Sequence, residues 1–173
     1  MYKLIKIFFC ATVSSVFWGC NHEPEILMQR FPYEGNELRI DGYYYYQDTL
    51  SDNYYRTHVL FLFRNGVMFN PFSYWTNDIN EVEQRLTMAH EKGWFAKEWE
   101  GWGVFIINGN RLEYEKWSVE GGHTLRYVGR IKNDTTFHLL QCVDPLRGIS
   151  SMNEICHFKK FSPKPDSIKS FIK

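Results

Sequence analysis

Neither sign of charge dominates this chain, in which 20 lysines and arginines stand against 20 aspartates and glutamates. Such a balance gives no electrostatic footprint for nucleic acid or another charged polymer as partner. Long apolar runs are missing as well. The longest, residues 7–18, is about a dozen residues, short of the ~20 that a bilayer-spanning helix needs. Catalytic signatures are absent too: no glycine-rich phosphate loop, no G-x-S-x-G elbow, and no H-E-x-x-H, since His90-Glu91 lacks its second histidine. The expectation is a protein that is not an enzyme and carries no cofactor.

Cysteine is scarce, with four in the chain. Cys142 and Cys156, with His138 and His157, are metal-ligand types, but strand geometry separates them. His138 and Cys142 would share a face about 13 Å apart, while adjacent Cys156 and His157 point to opposite faces. Zinc needs its ligands to converge at about 2.0–2.3 Å, so no metal site is expected. Cys142 and Cys156 fit a disulfide better, because a hairpin centred near Ile149 would set them opposite each other. Two half-buried thiols are the competing reading.

What is abundant is aromatic surface, 18% of the residues, which suits pleated sheets and cavity linings. Residues 102–143 organise the chain into a four-strand antiparallel meander punctuated by Asn108-Gly109, Gly121-Gly122 and Asn133-Asp134. A turn at Asn108-Gly109 predicts Ile107 opposite Asn110, with Phe105, Ile107, Leu112 and Tyr114 on one face. Glu113 and Glu115 then fall on the other face beside Arg111, which reads as a solvated charged surface and not a glycosidase pair. The odd step from Tyr114 to Trp117 predicts a β-bulge near Lys116. Leu125, Tyr127 and Ile131 alternate inward, followed by Phe137, Leu139 and Gln141.

Upstream, residues 38–47 alternate so that Leu38, Ile40, Tyr44 and Tyr46 share one face, with Gly42 marking a kink or a close backbone approach. Residues 57–64 and 67–72 form a hairpin at Asn65-Gly66. Residues 60–63 are apolar on both faces and call for a covering element. The helix over 78–92 supplies it, with Ile79, Val82, Leu86 and Ala89 as its stripe, Asp78 with Glu81 as a capping box, and Gly93 as its stop. The tryptophan-rich connector 94–102 is expected to fold onto a barrel mouth or edge. The final strand is predicted over 155–161. About eight strands of this length can close into an up-and-down, lipocalin-like barrel, mainly β, with one inserted helix near 78–92.

The N-terminus reads separately. Lys3 and Lys6 before the apolar run form a secretory signal. Its end, Val-Phe-Trp-Gly-Cys, resembles a bacterial lipoprotein signal, in which the cysteine after a small residue is lipidated; Phe17 and Trp18 are bulkier than usual there. The resemblance implies a signal peptide over 1–19, lipidation at Cys20 and a tether over 20–36 before a barrel domain over 37–173. An ordinary signal peptide with an incidental cysteine is the alternative. The signal with GYYYY, FRNG, WGVF and HFKKFSPKPDS resembles the small lipocalin-like lipoproteins of gut-type Gram-negative bacteria, which implies a barrel and no established activity. Asp48-Thr49-Leu50, Asp134-Thr135-Thr136 and Asp166-Ser167-Ile168 resemble O-glycosylation acceptors of that group. The expected protein sits in the cell envelope, joined to the membrane by its lipid anchor. It would take a small apolar or amphipathic ligand among Tyr44, Tyr46, Phe105, Tyr114, Tyr127 and Phe137. Otherwise these rings fill the barrel and the surface contacts an envelope protein or glycan.

Overall fold

The structure, a computed structural model, describes residues 25–51, 54–118 and 122–172. The signal segment 1–19, Cys20, the first part of the tether and Gly121 of a predicted turn lie outside the described residues. The chain forms a closed antiparallel barrel of lipocalin-like form. Its strands are β1 (Gly42–Ser51), β2 (Tyr54–Leu62), β3 (Val67–Phe69), β4 (Trp102–Asn108), β5 (Arg111–Trp117), β6 (Thr124–Asn133), β7 (Thr136–Asp144) and β8 (Gly148–Lys160). Helix α1 (Ile79–Glu91) is inserted between β3 and β4. β8 closes the cylinder on β1 by pairing Gly42 with Lys160 and Tyr45 with His157. At Gly42 the strands approach so closely that a Cβ would run into the Lys159 carbonyl, which explains the glycine within the tyrosine run.

Closure divides every strand between an inside and an outside. Tyr44, Leu60, Leu62, Met68, Phe105, Leu112, Tyr114, Phe137 and Leu139 point in. Tyr43, Val59, Phe61, Val67, Phe69 and Trp102 point out and are covered by Val82, Leu86 and Ala89 of α1. The doubly apolar stretch in β2 therefore meets two cores, as its composition requires. Asp78 caps α1 by accepting a hydrogen bond from the Asn80 N–H at 2.8 Å. The predicted capping box is replaced: the Asp78 N–H donates to Thr76 Oγ1 at 3.1 Å, and Glu81 pairs with Arg85. Glu83 ties the helix to the wall, taking the Tyr43 hydroxyl at 3.1 Å and Lys159 Nζ at 3.2 Å.

Several registers differ from expectation. The β4–β5 turn is Gly109-Asn110, with Gly109 at φ +58°, so that Ile107 faces Leu112 and not Asn110. This moves the pairing while leaving each residue on its own face, so the inward set was unaffected by the error. β5 runs without a bulge from Arg111 to Trp117 on both edges. Lys116 consequently continues the inward series Leu112, Tyr114. In β7 a register shift beside Leu140 sends Gln141 out and Cys142 in. β8 begins at Gly148, earlier than predicted, so Cys142 pairs with Ser150 and Cys156 with Phe137. The cysteines thus sit on different rungs as free thiols, and the disulfide is corrected: the strands are neighbours, but the turn falls before Ile149.

The predicted tether is also different from residue 25 onward. Leu27 and Met28 donate their N–H groups to Glu115, at 3.2 and 2.6 Å, and Tyr33 is buried against Phe105. Glu115 is only 4% exposed, and its charged-face reading gives way to an anchor for this segment. Of the acceptor-like tripeptides, Asp134 occupies the β6–β7 turn and Asp166 caps a 3-10 turn, whereas Asp48 lies within β1.

Leu86→Ala removes a fully buried side chain between helix and barrel. We expect it to destabilise the fold by about 2–5 kcal/mol. Chemical denaturation measures this, and an unchanged midpoint would show that α1 contributes nothing to the barrel.

Candidate functional site

One end of the barrel is filled and the other is open. At the filled end, residues 33–40 cross beneath the strands and hydrogen-bond to two of the turns: Tyr33 N–H to the Arg64 carbonyl (2.8 Å) and Arg39 N–H to the Asp134 carbonyl (2.9 Å). The Tyr44 hydroxyl donates to the same Asp134 carbonyl at 2.8 Å, and its ring packs between Phe137 and Phe158 at 5.0 and 5.4 Å. Phe105 and Phe137, two of the six expected lining residues, are consumed in this packing. They fill the barrel and do not line the cavity at its open end.

Tyr44, Tyr46, Tyr114 and Tyr127 do line one, a cavity of about 560 Å³ reaching from mid-barrel to the open mouth. That volume lies within the range of small-molecule sites. Tyr114 and Tyr127 stack at 4.7 Å across β5 and β6, while Tyr46 stacks on His58 at 4.4 Å across β1 and β2. Burial raises the pKa of Tyr46, Tyr114 and Tyr127, so all three remain hydrogen-bond donors at neutral pH. The segment between β3 and α1 forms part of the rim. Thr57 exchanges backbone hydrogen bonds with Tyr74, both at 2.8 Å, which holds Phe72, Ser73 and Trp75 beside the mouth. Trp75 is 63% exposed.

The polar lining was not foreseen. A hydrogen bond joins His58 Nδ1 to Ser73 Oγ at 3.0 Å; Nε2 lies 3.4 Å from Asp48 Oδ2 without hydrogen-bond geometry. Burial pushes the His58 pKa down to about 4, leaving the ring neutral at pH 7. For Asp48, burial acts upward, but hydrogen bonds from Arg56 and its charge hold the carboxylate below its ordinary range. Asp144 is held low by the backbone N–H groups of Leu146 and Arg147, and lies 3.4 Å from His123 Nε2.

Lys116 is the exception. It is 9% exposed and faces the cavity, yet among the described residues its Nζ makes no hydrogen bond or ion pair. Burial pushes its pKa down to about 8, with only distant attraction from Cys142 and Glu100. The continuous alternation Leu112, Tyr114, Lys116 locates it once the bulge expected from the odd step to Trp117 is set aside. A second cleft of about 440 Å³ lies outside the barrel, between α1 and the connector that carries Trp94 and Phe95. Among the four chemistry-bearing residues considered for metal, His138 bonds Asn153 at 2.8 Å and His157 packs on Tyr45, both outside, while Cys142 and Cys156 point in.

No family model, curated protein or solved structure matches this chain. The barrel and its cavity are therefore read on their own geometry.

Below pH 8 the Lys116 amine is charged in both folded and unfolded chains, and the folded state bears the whole cost of burying it. Between pH 8 and the ordinary value of 10.5 that cost falls to nothing. Lys116→Met should thus stabilise the ligand-free protein at pH 7 by about 1–3 kcal/mol, a thermal midpoint several degrees higher. The advantage should shrink as pH rises towards 10. A variant less stable at pH 7, or an unchanging gap, would contradict the buried charge.

Proposed function

We propose that this protein is an exported, lipid-anchored binding protein of the cell envelope that holds a small apolar or amphipathic molecule in the mouth of its barrel. The observation that carries the reading is the division of the interior. Side chains pack the closed half, whereas the open half keeps about 560 Å³ walled by aromatic rings. A barrel serving only as a scaffold has no need of that space, since eight strands enclose an interior that side chains can fill. Binding is favoured over catalysis because, among the described residues lining the mouth, Asp48 is held by Arg56 and Asp144 by backbone N–H groups, and the hydroxyl bonded to His58, that of Ser73, lies at the rim.

The anchor rests on the lipoprotein-like ending at Cys20. Six residues separate Cys20 from Leu27, whose N–H is fixed to Glu115 on the barrel wall. With lipid on Cys20, that span could hold Leu27 no more than about 25 Å from the membrane surface. A surface-interaction role is the second reading, favoured by Phe72, Trp75, Trp94 and Trp99, all exposed near the mouth or on its flanking connector.

Two measurements test the proposal. The neutral dye N-phenyl-1-naphthylamine should bind the mature protein saturably at one site, and Leu125→Trp, which fills the mouth, should weaken it at least tenfold. No saturable binding of this dye or of its anionic sulfonate analogue, or equal binding by the filled variant, would leave the surface-interaction role as the better account. Cells expressing the full chain should incorporate a fatty-acid label that Cys20→Ser loses; equal labelling removes the anchor.

A further inference from the structure

We propose that the molecule held in the barrel is an amphipathic organic acid whose anionic group is bound by Lys116. This rests on the reading of the cavity as a ligand site and goes further by specifying the ligand's chemistry. Three donors face the cavity without an acceptor among the described residues: Lys116 Nζ and the hydroxyls of Tyr46 and Tyr114. Lys116 follows Tyr114 by two positions on the same inward face, nearer the mouth. An ammonium, which can only donate, beside hydroxyls that can also donate is complementary to an oxyanion.

The charge inventory points the same way. Arg56, Lys116 and Arg147 line the cavity together with Asp144. Asp48, beside Arg56, binds that guanidinium through both oxygens. With His58 neutral, the cavity-lining cation left without an adjacent carboxylate among the described residues is Lys116. Glu100 acts on it through charge alone, and Glu154, opposite the inward Leu139 on β8, acts on Tyr46 and Cys156. A buried ammonium lacking a partner is unfavourable, and a bound anion supplies the missing counter-charge. Leu125 pairs with Lys116 across β5 and β6, and with Pro71, Phe72 and Trp75 at the rim it offers apolar surface beside the amine for the body of the ligand. A neutral apolar ligand would leave the amine and both hydroxyls desolvated with nothing to bond; a cationic one would meet a like charge.

A matched pair of probes separates this inference from the binding role itself. 8-Anilino-1-naphthalenesulfonate and N-phenyl-1-naphthylamine share one ring skeleton and differ in the sulfonate. The mature wild-type protein should bind the sulfonate at least tenfold more tightly than the neutral dye, as a charge-assisted hydrogen bond provides. Lys116→Met should abolish that preference while retaining the neutral dye, which also verifies that the variant is folded. Lys116→Arg should keep the preference. Equal wild-type affinities, or a preference unchanged in Lys116→Met, would overturn the acid while leaving a binding barrel. Failure of both dyes to bind the wild type would overturn the binding role and the acid together.

Discussion

Pairing of β1 with β8 is the interaction on which the rest depends. Without it the sheet would expose two edges, and its two faces would differ only in the company they keep. With it, alternate residues of every strand are committed to an interior of fixed width or to an outer wall. The helix can then cover one sector of that wall, over Tyr43, Phe61 and Trp102, because the interior no longer needs it. The four-tyrosine run shows the consequence compactly. Tyr44 and Tyr46 serve the interior, Tyr43 lies under α1, and Tyr45 meets His157 across the closing seam.

The interior is then sealed from one end. Residues 33–40 bring Tyr33 and Leu38 beneath the strands, and Lys164 of the C-terminal segment donates to the Ile40 and Leu62 carbonyls at 2.6 and 2.8 Å. Both chain segments outside the barrel thereby reinforce the filled half. At the other end, the β3–α1 segment edges the opening without filling it. An asymmetry of this kind gives a pocket with one mouth and a floor, the geometry in which a ligand can be oriented and largely removed from water.

Much of this was legible in the sequence because strand alternation is a local signal. The inward sets of β1, β4, β5 and β6 follow from period two alone, and α1 follows from its stripe at Val82, Leu86 and Ala89. Pairing register was less legible. Moving the β4–β5 turn from Asn108-Gly109 to Gly109-Asn110 keeps every residue on its face, so hydrophobic patterning cannot distinguish the two. The β7–β8 register failed for a related reason: a polar, exposed start to β8, Gly148–Ser151, looks like a loop until its backbone partners on β7 are known. Residues 25–37 were misread because their order comes from Glu115 and Arg64, far away in sequence.

The polar half of the site was lost to a rule that is sound for filled cores. Apolar residues are placed inward, so the odd step from Tyr114 to Trp117 predicts a bulge that keeps Trp117 in phase and leaves Lys116 off the inward face. That rule presumes the inward face meets hydrocarbon. Where a barrel stays open at one end, the inward face of its upper strands meets a cavity, and a lysine there can keep its charge at a cost in stability. The observed strand is continuous, which means that the backbone has not moved to relieve that cost, although a single bulge would have done so. A residue left in an unfavourable position by a chain that could readily have turned it away points to a benefit realised only when something else occupies the space. In this barrel the space is the cavity above Tyr114, and the group that turns the cost into a gain is an anion.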